Sequence, residues 1–104
     1  MKVLAIEKDI DGIVWTDADN ILKHEALHVF QLYLSDVLRE IYFTGNKNAV
    51  LILETTDKNA AEQLLSALPL VKAGMIRFEI MELKPYSGYE RLFNPFVETK
   101  DKAE

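Results

Sequence analysis

Residues 23–30 read Lys-His-Glu-Ala-Leu-His-Val-Phe, and within them His24, Glu25 and His28 have the spacing H-E-x-x-H. On a helix, positions i and i+4 share a face. Two imidazoles so placed can grip one zinc ion while the glutamate acts as general base in peptide hydrolysis. Such a centre needs a third ligand. The residues that follow are Val-Phe-Gln-Leu-Tyr-Leu, and the chain has no histidine beyond these two. A carboxylate from a second helix is the remaining source, and that helix is short and lies across a hairpin. We read the pair as solvated histidines on a helix rim. A weak two-ligand surface metal contact is the alternative, and no metal or cofactor is assigned.

A second set of groups sits in strand-like runs. Arg39, Glu40 and Tyr42 fall in "VLREIYF", residues 37–43, and Arg77 and Glu79 fall in "MIRFEIMEL", residues 75–83. Charged groups are rarely buried unpaired, because desolvation costs several kcal/mol per ion. These side chains therefore reach a sheet edge or pair with one another. A Glu held among apolar groups has a raised pKa and can move protons at neutral pH. In that chemistry Glu79 or Glu40 is the base, Tyr42 or His28 the partner acid, and Arg39 or Arg77 the holder of a substrate carboxylate. The competing role is an ion pair that fixes the register of two copies.

The chain that must position these groups has 104 residues, enough for a single domain with one core. Nearly half of it, 49%, is hydrophobic, which calls for a packed fold. There are no cysteines, so disulfides, thiol catalysis and thiolate metal sites are excluded. That composition suits a reducing cytoplasm, which is the expected location. The net charge of -5 argues against nucleic acid as a partner, since phosphates are repelled. No apolar stretch approaches the about 20 residues that span a bilayer, and the first residues lack a signal-peptide pattern.

The period of the apolar residues gives the elements. Val3 to Ile6 form a first strand. Gly12 and several Asp residues make a turn-rich connection, and Asp17 or Asp19 is expected to cap a helix. From Asn20 to Ser35, Leu22, Ala26, Val29, Phe30 and Tyr33 trace one helical face that should pack on a sheet. Residues 37–43 and 49–55, separated by Gly45-Asn46, predict a hairpin. Residues 57–67 predict a second helix capped by Asp57 and stopped by Pro69. Gly74 opens a last strand. The order β-α-β-β-α-β is that of a ferredoxin-like α+β fold, with an antiparallel sheet and both helices on one face. Residues 1–93 form that domain, and 94–104 a charged, solvated tail.

The strands carry apolar residues on both faces. In "AVLILET", Ala49, Leu51 and Leu53 alternate with Val50, Ile52 and Glu54. Helices cover one side only, so the other requires a partner, and the simplest is a second copy joined sheet to sheet.

At this point the chain resembles a known family. "REIYFTGNKNAVLILE", "LLSALPLVKAGMIRFEIMELKPY" and "GYERLF" look like the muconolactone isomerase-like proteins of the dimeric α+β barrel class. The resemblance spans residues 1–93 and rests on the order of short blocks, with Leu-Pro-Leu before the last strand the most telling. It implies two ferredoxin-like sheets paired into a barrel with helices outside. It also implies a C-terminal segment, here "YERLFNPF" with Tyr89, Phe93 and Phe96, that extends the assembly beyond a dimer. No catalytic position of the family is matched residue by residue.

Three function classes follow. The first is a cofactor-independent isomerase or lyase acting by proton transfer on a small unsaturated acid or lactone in the barrel interior. The second is a non-catalytic ligand-binding or stress-associated barrel whose charges are structural. The third is a cofactor-free monooxygenase. A ligand-sized cavity lined by Glu79 and Arg77 favours the first, and paired charges in a filled interior favour the second.

Overall fold

The computed structural model describes residues 1–93 of the chain. The expected tail and Phe96 lie outside them. Four strands, β1 (Lys2–Asp9), β2 (Leu38–Phe43), β3 (Ala49–Glu54) and β4 (Ile76–Leu83), form one antiparallel sheet in the order β2-β3-β1-β4. Helices α1 (Asp19–Leu34), α2 (Lys58–Ser66) and α3 (Pro69–Lys72) complete the described fold with a 3-10 turn at Gly88–Leu92. This is the ferredoxin-like α+β arrangement. Among the described residues no helix is long and apolar enough to cross a membrane.

Register decides which side chains share a face, because directly paired residues in an antiparallel ladder point the same way. Val3 pairs with Leu53 and Ala5 with both Leu51 and Ile80, so these residues and Leu38 point toward the helices. There they meet Ala61 and Leu65 of α2 and Leu68. Val3, Leu51, Leu53, Leu65 and Leu68 are the largest fully buried side chains. Each contributes about 1.5–3 kcal/mol relative to staying exposed, which makes this cluster the main source of stability.

The second helix starts as expected. The Asp57 carboxylate accepts the Ala60 N–H at 2.7 Å and satisfies one of the donors that open the helix. Pro69 does more than stop α2. It occupies the first position of α3, where its missing N–H costs nothing. Gly74 follows in a left-handed conformation, φ 73°, and turns the chain into β4. The start of α1 departs from expectation. Its cap is Ala18, with no side-chain hydrogen bond, while Asp17 sits at φ 59° and Asp19 is already helical. Asp19 still favours the helix electrostatically from its first turn.

The larger departure is where α1 lies. Its apolar stripe does not close on the sheet. No residue of α1 is buried, and Phe30 and Tyr33 remain 53% and 57% exposed. The helix packs chiefly against α3 and, through Val29 and Leu32, against the edge of the core beside β2. Periodicity correctly identified the stripe, but the stripe lines a gap.

Candidate functional site

That gap is a cleft of about 870 Å³ between α1 and the helix-facing side of the sheet. Its size lies within the range of small-molecule sites, and its walls are mostly apolar and aromatic, as such sites are. The helix supplies Leu22, Ala26, Val29, Phe30 and Tyr33, and the sheet answers with Ile41, Phe43, Leu51, Ile76 and Phe78. Trp15, in the connection before α1, stands in the wall at 44% exposure.

Four charged side chains reach this lining: Glu7, Asp9, Glu25 and Lys47. Glu7 and Asp9 continue the alternation of Val3 and Ala5 along β1, so they too point to the helix side. Each has a structural partner. The Ala49 N–H donates to Glu7 Oε1 at 2.7 Å, and Asn48 Nδ2 donates to Asp9 Oδ1 at 2.9 Å. The two carboxylates thereby fasten the base of the β2–β3 hairpin to β1.

Glu25 is different. It sits at the edge of the apolar stripe, three residues after Leu22 and four before Val29. Its Oε1 accepts the Leu70 N–H at 2.9 Å, from the first turn of α3. Partial burial in the cleft raises its pKa above the ordinary glutamate value. The Leu70 hydrogen bond and the nearby His28 oppose that rise, and the charge of Glu7 adds to it. One oxygen is held in place, and the other remains to take up or release a proton.

His24 and His28 flank Glu25 on α1, and His28 is close enough to act on its charge, but neither imidazole lines the cleft. Both are exposed, and His28 lines a shallow groove between α1 and α2 with Gln31 and Leu64. Among the described residues no group of three or more His, Asp or Glu side chains is arranged to hold a metal ion. The H-E-x-x-H spacing thus splits into two outward imidazoles and one cleft-facing carboxyl.

The strand charges singled out from the sequence lie on the other side of the sheet. Ile6 and its partner Glu79, Lys8 and its partner Arg77, and Tyr42 opposite Val50 all face away from the helices. Glu79 and Lys8 form an ion pair at 3.3 Å. Tyr42 donates to Glu40 Oε1 at 2.9 Å, and this bond raises the phenol pKa, making it a weaker acid. Arg39 sits at a bulge between Leu38 and Glu40 and donates from Nε to the Asp36 carbonyl at 2.8 Å. The structure therefore brings Glu40, Tyr42, Arg77 and Glu79 to one face, and leaves His28 across the sheet from all of them.

Sequence reasoning missed Glu7, Asp9 and Lys47 as cleft residues and saw Glu25 only as part of a zinc pattern. The period-two continuation of β1 through Glu7 and Asp9 was a usable signal. The position of Glu25 beside the apolar stripe was another.

No protein-family profile matches the chain, and no curated protein is similar to it in sequence. Among solved structures the fold is similar to 5-chloro-2-hydroxyhydroquinone dehydrochlorinase from Burkholderia phenoliruptrix AC1100, determined in complex with 2,5-dihydroxybenzoquinone. The TM-score is 0.58 at 20% sequence identity, covering 85% of this chain and 98% of that one. The likeness is one of fold.

Proposed function

We propose that the protein is a cofactor-independent proton-transfer catalyst of the isomerase or lyase kind, acting on a small ring compound in the cleft between α1 and the sheet. The observation that carries this reading is Glu25, a partly desolvated carboxyl pinned by a backbone N–H inside an apolar cleft of ligand size.

In this reading the free oxygen of the ionised Glu25 removes a proton from a carbon next to a ring carbonyl. The electron pair moves onto the carbonyl oxygen as an enolate. Returning the proton to a different carbon completes an isomerisation. Expelling an anionic leaving group from the neighbouring carbon completes an elimination, and Glu25 then releases its proton to solvent. A carboxylate with a raised pKa is the stronger base once ionised, so desolvation favours the first step. Apolar and aromatic walls hold the ring flat and exclude water from the enolate.

The charge inventory shapes the substrate. Among the described residues three carboxylates and one lysine line the cleft, which favours a mostly apolar ring carrying at most one anionic oxygen over a multiply charged acid. The dehydrochlorinase of similar fold takes a hydroxylated six-membered ring, and that supports a ring-shaped substrate here. Arg39 and Arg77 lie away from the cleft and hold no substrate acid in this reading.

The partner in this reading is a second copy, joined through the helix-free face. Leu4 pairs with Ile52 and Met81, and Ile6 with Val50, so an apolar patch occupies the middle of that face, with Lys8, Arg77 and Glu79 toward one end. The exposed Tyr89 and Phe93 support a larger assembly built from the C-terminal segment.

The experiment is a survey of lactones, cyclic enones and hydroxylated quinones, by turnover and by quenching of Trp15 fluorescence. Glu25→Gln is expected to keep ligand binding within a few-fold and to lower turnover by about 10²–10⁴. Undiminished turnover in that variant rules out Glu25 as the base.

A further inference from the structure

We infer that Lys47 is the anion-orienting residue of the cleft, and that it selects ligands bearing one ionised or enolate-type oxygen on an otherwise apolar ring. The inference rests on the reading of the cleft as a ligand site and adds a direction to it: the charged oxygen lies toward the hairpin turn, away from the purely apolar walls.

The turn is built tightly around this residue. The Thr44 N–H donates to the Asn48 carbonyl at 2.9 Å, the Lys47 N–H donates to the Thr44 carbonyl at 2.8 Å, and the Asn48 N–H reaches Thr44 Oγ1 at 3.2 Å. Glu7 and Asp9 anchor the next two residues, Ala49 and Asn48, to β1. The backbone at position 47 is therefore fixed at the end of the cleft.

Its conformation is unusual. Lys47 has φ 64°, in the left-handed region that a side chain with a Cβ adopts at a cost. Gly45, two residues earlier in the same turn, is not at positive φ. A glycine or asparagine would take position 47 with less strain, so the lysine is not there for the turn's sake.

Its electrostatic situation is equally distinct. Among the described residues Lys47 is the sole cation in the cleft lining, and none of their ion pairs includes it. Two acidic residues of the same lining, Glu7 and Asp9, already accept hydrogen bonds from the hairpin. Lys47 is exposed at the mouth of the cleft, and an ammonium group without an ion-pair partner beside mostly apolar walls attracts an anionic oxygen more strongly than one on an open polar surface. In the proton transfer proposed above, the enolate oxygen is the charge it would meet.

The test uses 4-nitrophenolate as an enolate-like probe and 4-nitroanisole as its neutral counterpart of similar shape. Binding of each is measured by calorimetry at a pH where the phenol is ionised. Wild type is expected to prefer the anion. Lys47→Gly, which suits the positive φ and preserves the turn, is expected to weaken the anion by about tenfold or more and change the neutral probe less than about twofold. Lys47→Arg should restore the preference. If wild type binds both probes equally and Lys47→Gly changes neither, the inference is overturned while the cleft stands as a ligand site. If wild type binds neither probe, the cleft reading fails and takes the inference with it.

Discussion

Replacing Glu25 by alanine and by glutamine separates what this carboxyl does for the fold from what its charge costs. Glu25→Ala removes the acceptor of the Leu70 N–H, a partly buried donor at the start of α3. An unsatisfied buried donor costs about 1–3 kcal/mol. For a domain of this size, each 1 kcal/mol lowers the melting temperature by about 4–8 °C. Glu25→Gln keeps an oxygen for Leu70 and removes the charge. The sign of its effect follows from the raised pKa. Between the ordinary glutamate value and the folded value, the folded protein binds more protons than the unfolded chain. Stability therefore falls as pH rises through that window, and the loss is complete above it. Glu25→Gln abolishes this dependence and should equal or exceed wild type at neutral pH, while Glu25→Ala lies below both. Urea unfolding followed by circular dichroism across acidic to neutral pH gives all three curves. A wild-type curve parallel to that of Glu25→Gln would show that the carboxyl is not desolvated, and the proposed base would lose its physical support.

Two further outcomes test the frame around the cleft. Leu53, fully buried between the sheet and α2, should cost about 2–5 kcal/mol when cut to alanine, measured by denaturant unfolding; a loss under 1 kcal/mol would mean the core is not where it is described. Ile52→Glu places a charge in the middle of the helix-free face and should dissociate the proposed dimer in sedimentation experiments while leaving the circular dichroism spectrum intact; an unchanged sedimentation coefficient argues against that face as the interface.

Much of the fold was legible because it depends on short-range patterns. The aliphatic, β-branched run in residues 49–55, the turn before it and the Asp57 cap each specify their element locally, and the element order then selects the topology. α3 was hidden because Pro69 serves two purposes: it ends one helix and begins the next. The cleft was hidden for a deeper reason. An amphipathic stripe such as Leu22 to Tyr33 says that one side of a helix shuns water. It does not say whether the sheet will reach that side. The standing of Glu25 depends on Leu70, 45 residues away, and no local spacing announces such a bond. The strand charges at Glu40, Tyr42, Arg77 and Glu79 share the helix-free face, where their neighbours are Lys8 and one another.

The absence of any buried residue on α1 bears on how tightly a guest is held. A helix held by partly buried contacts such as Val29 and Leu32 gains further packing from whatever fills the space beneath it. Part of the energy released when a ring slides under residues 19–34 is then spent in quieting the helix. Measured affinity would track the helical propensity of that segment as well as the fit of the ring. Surface changes on its outer side, touching nothing bound, would tighten or loosen the grip.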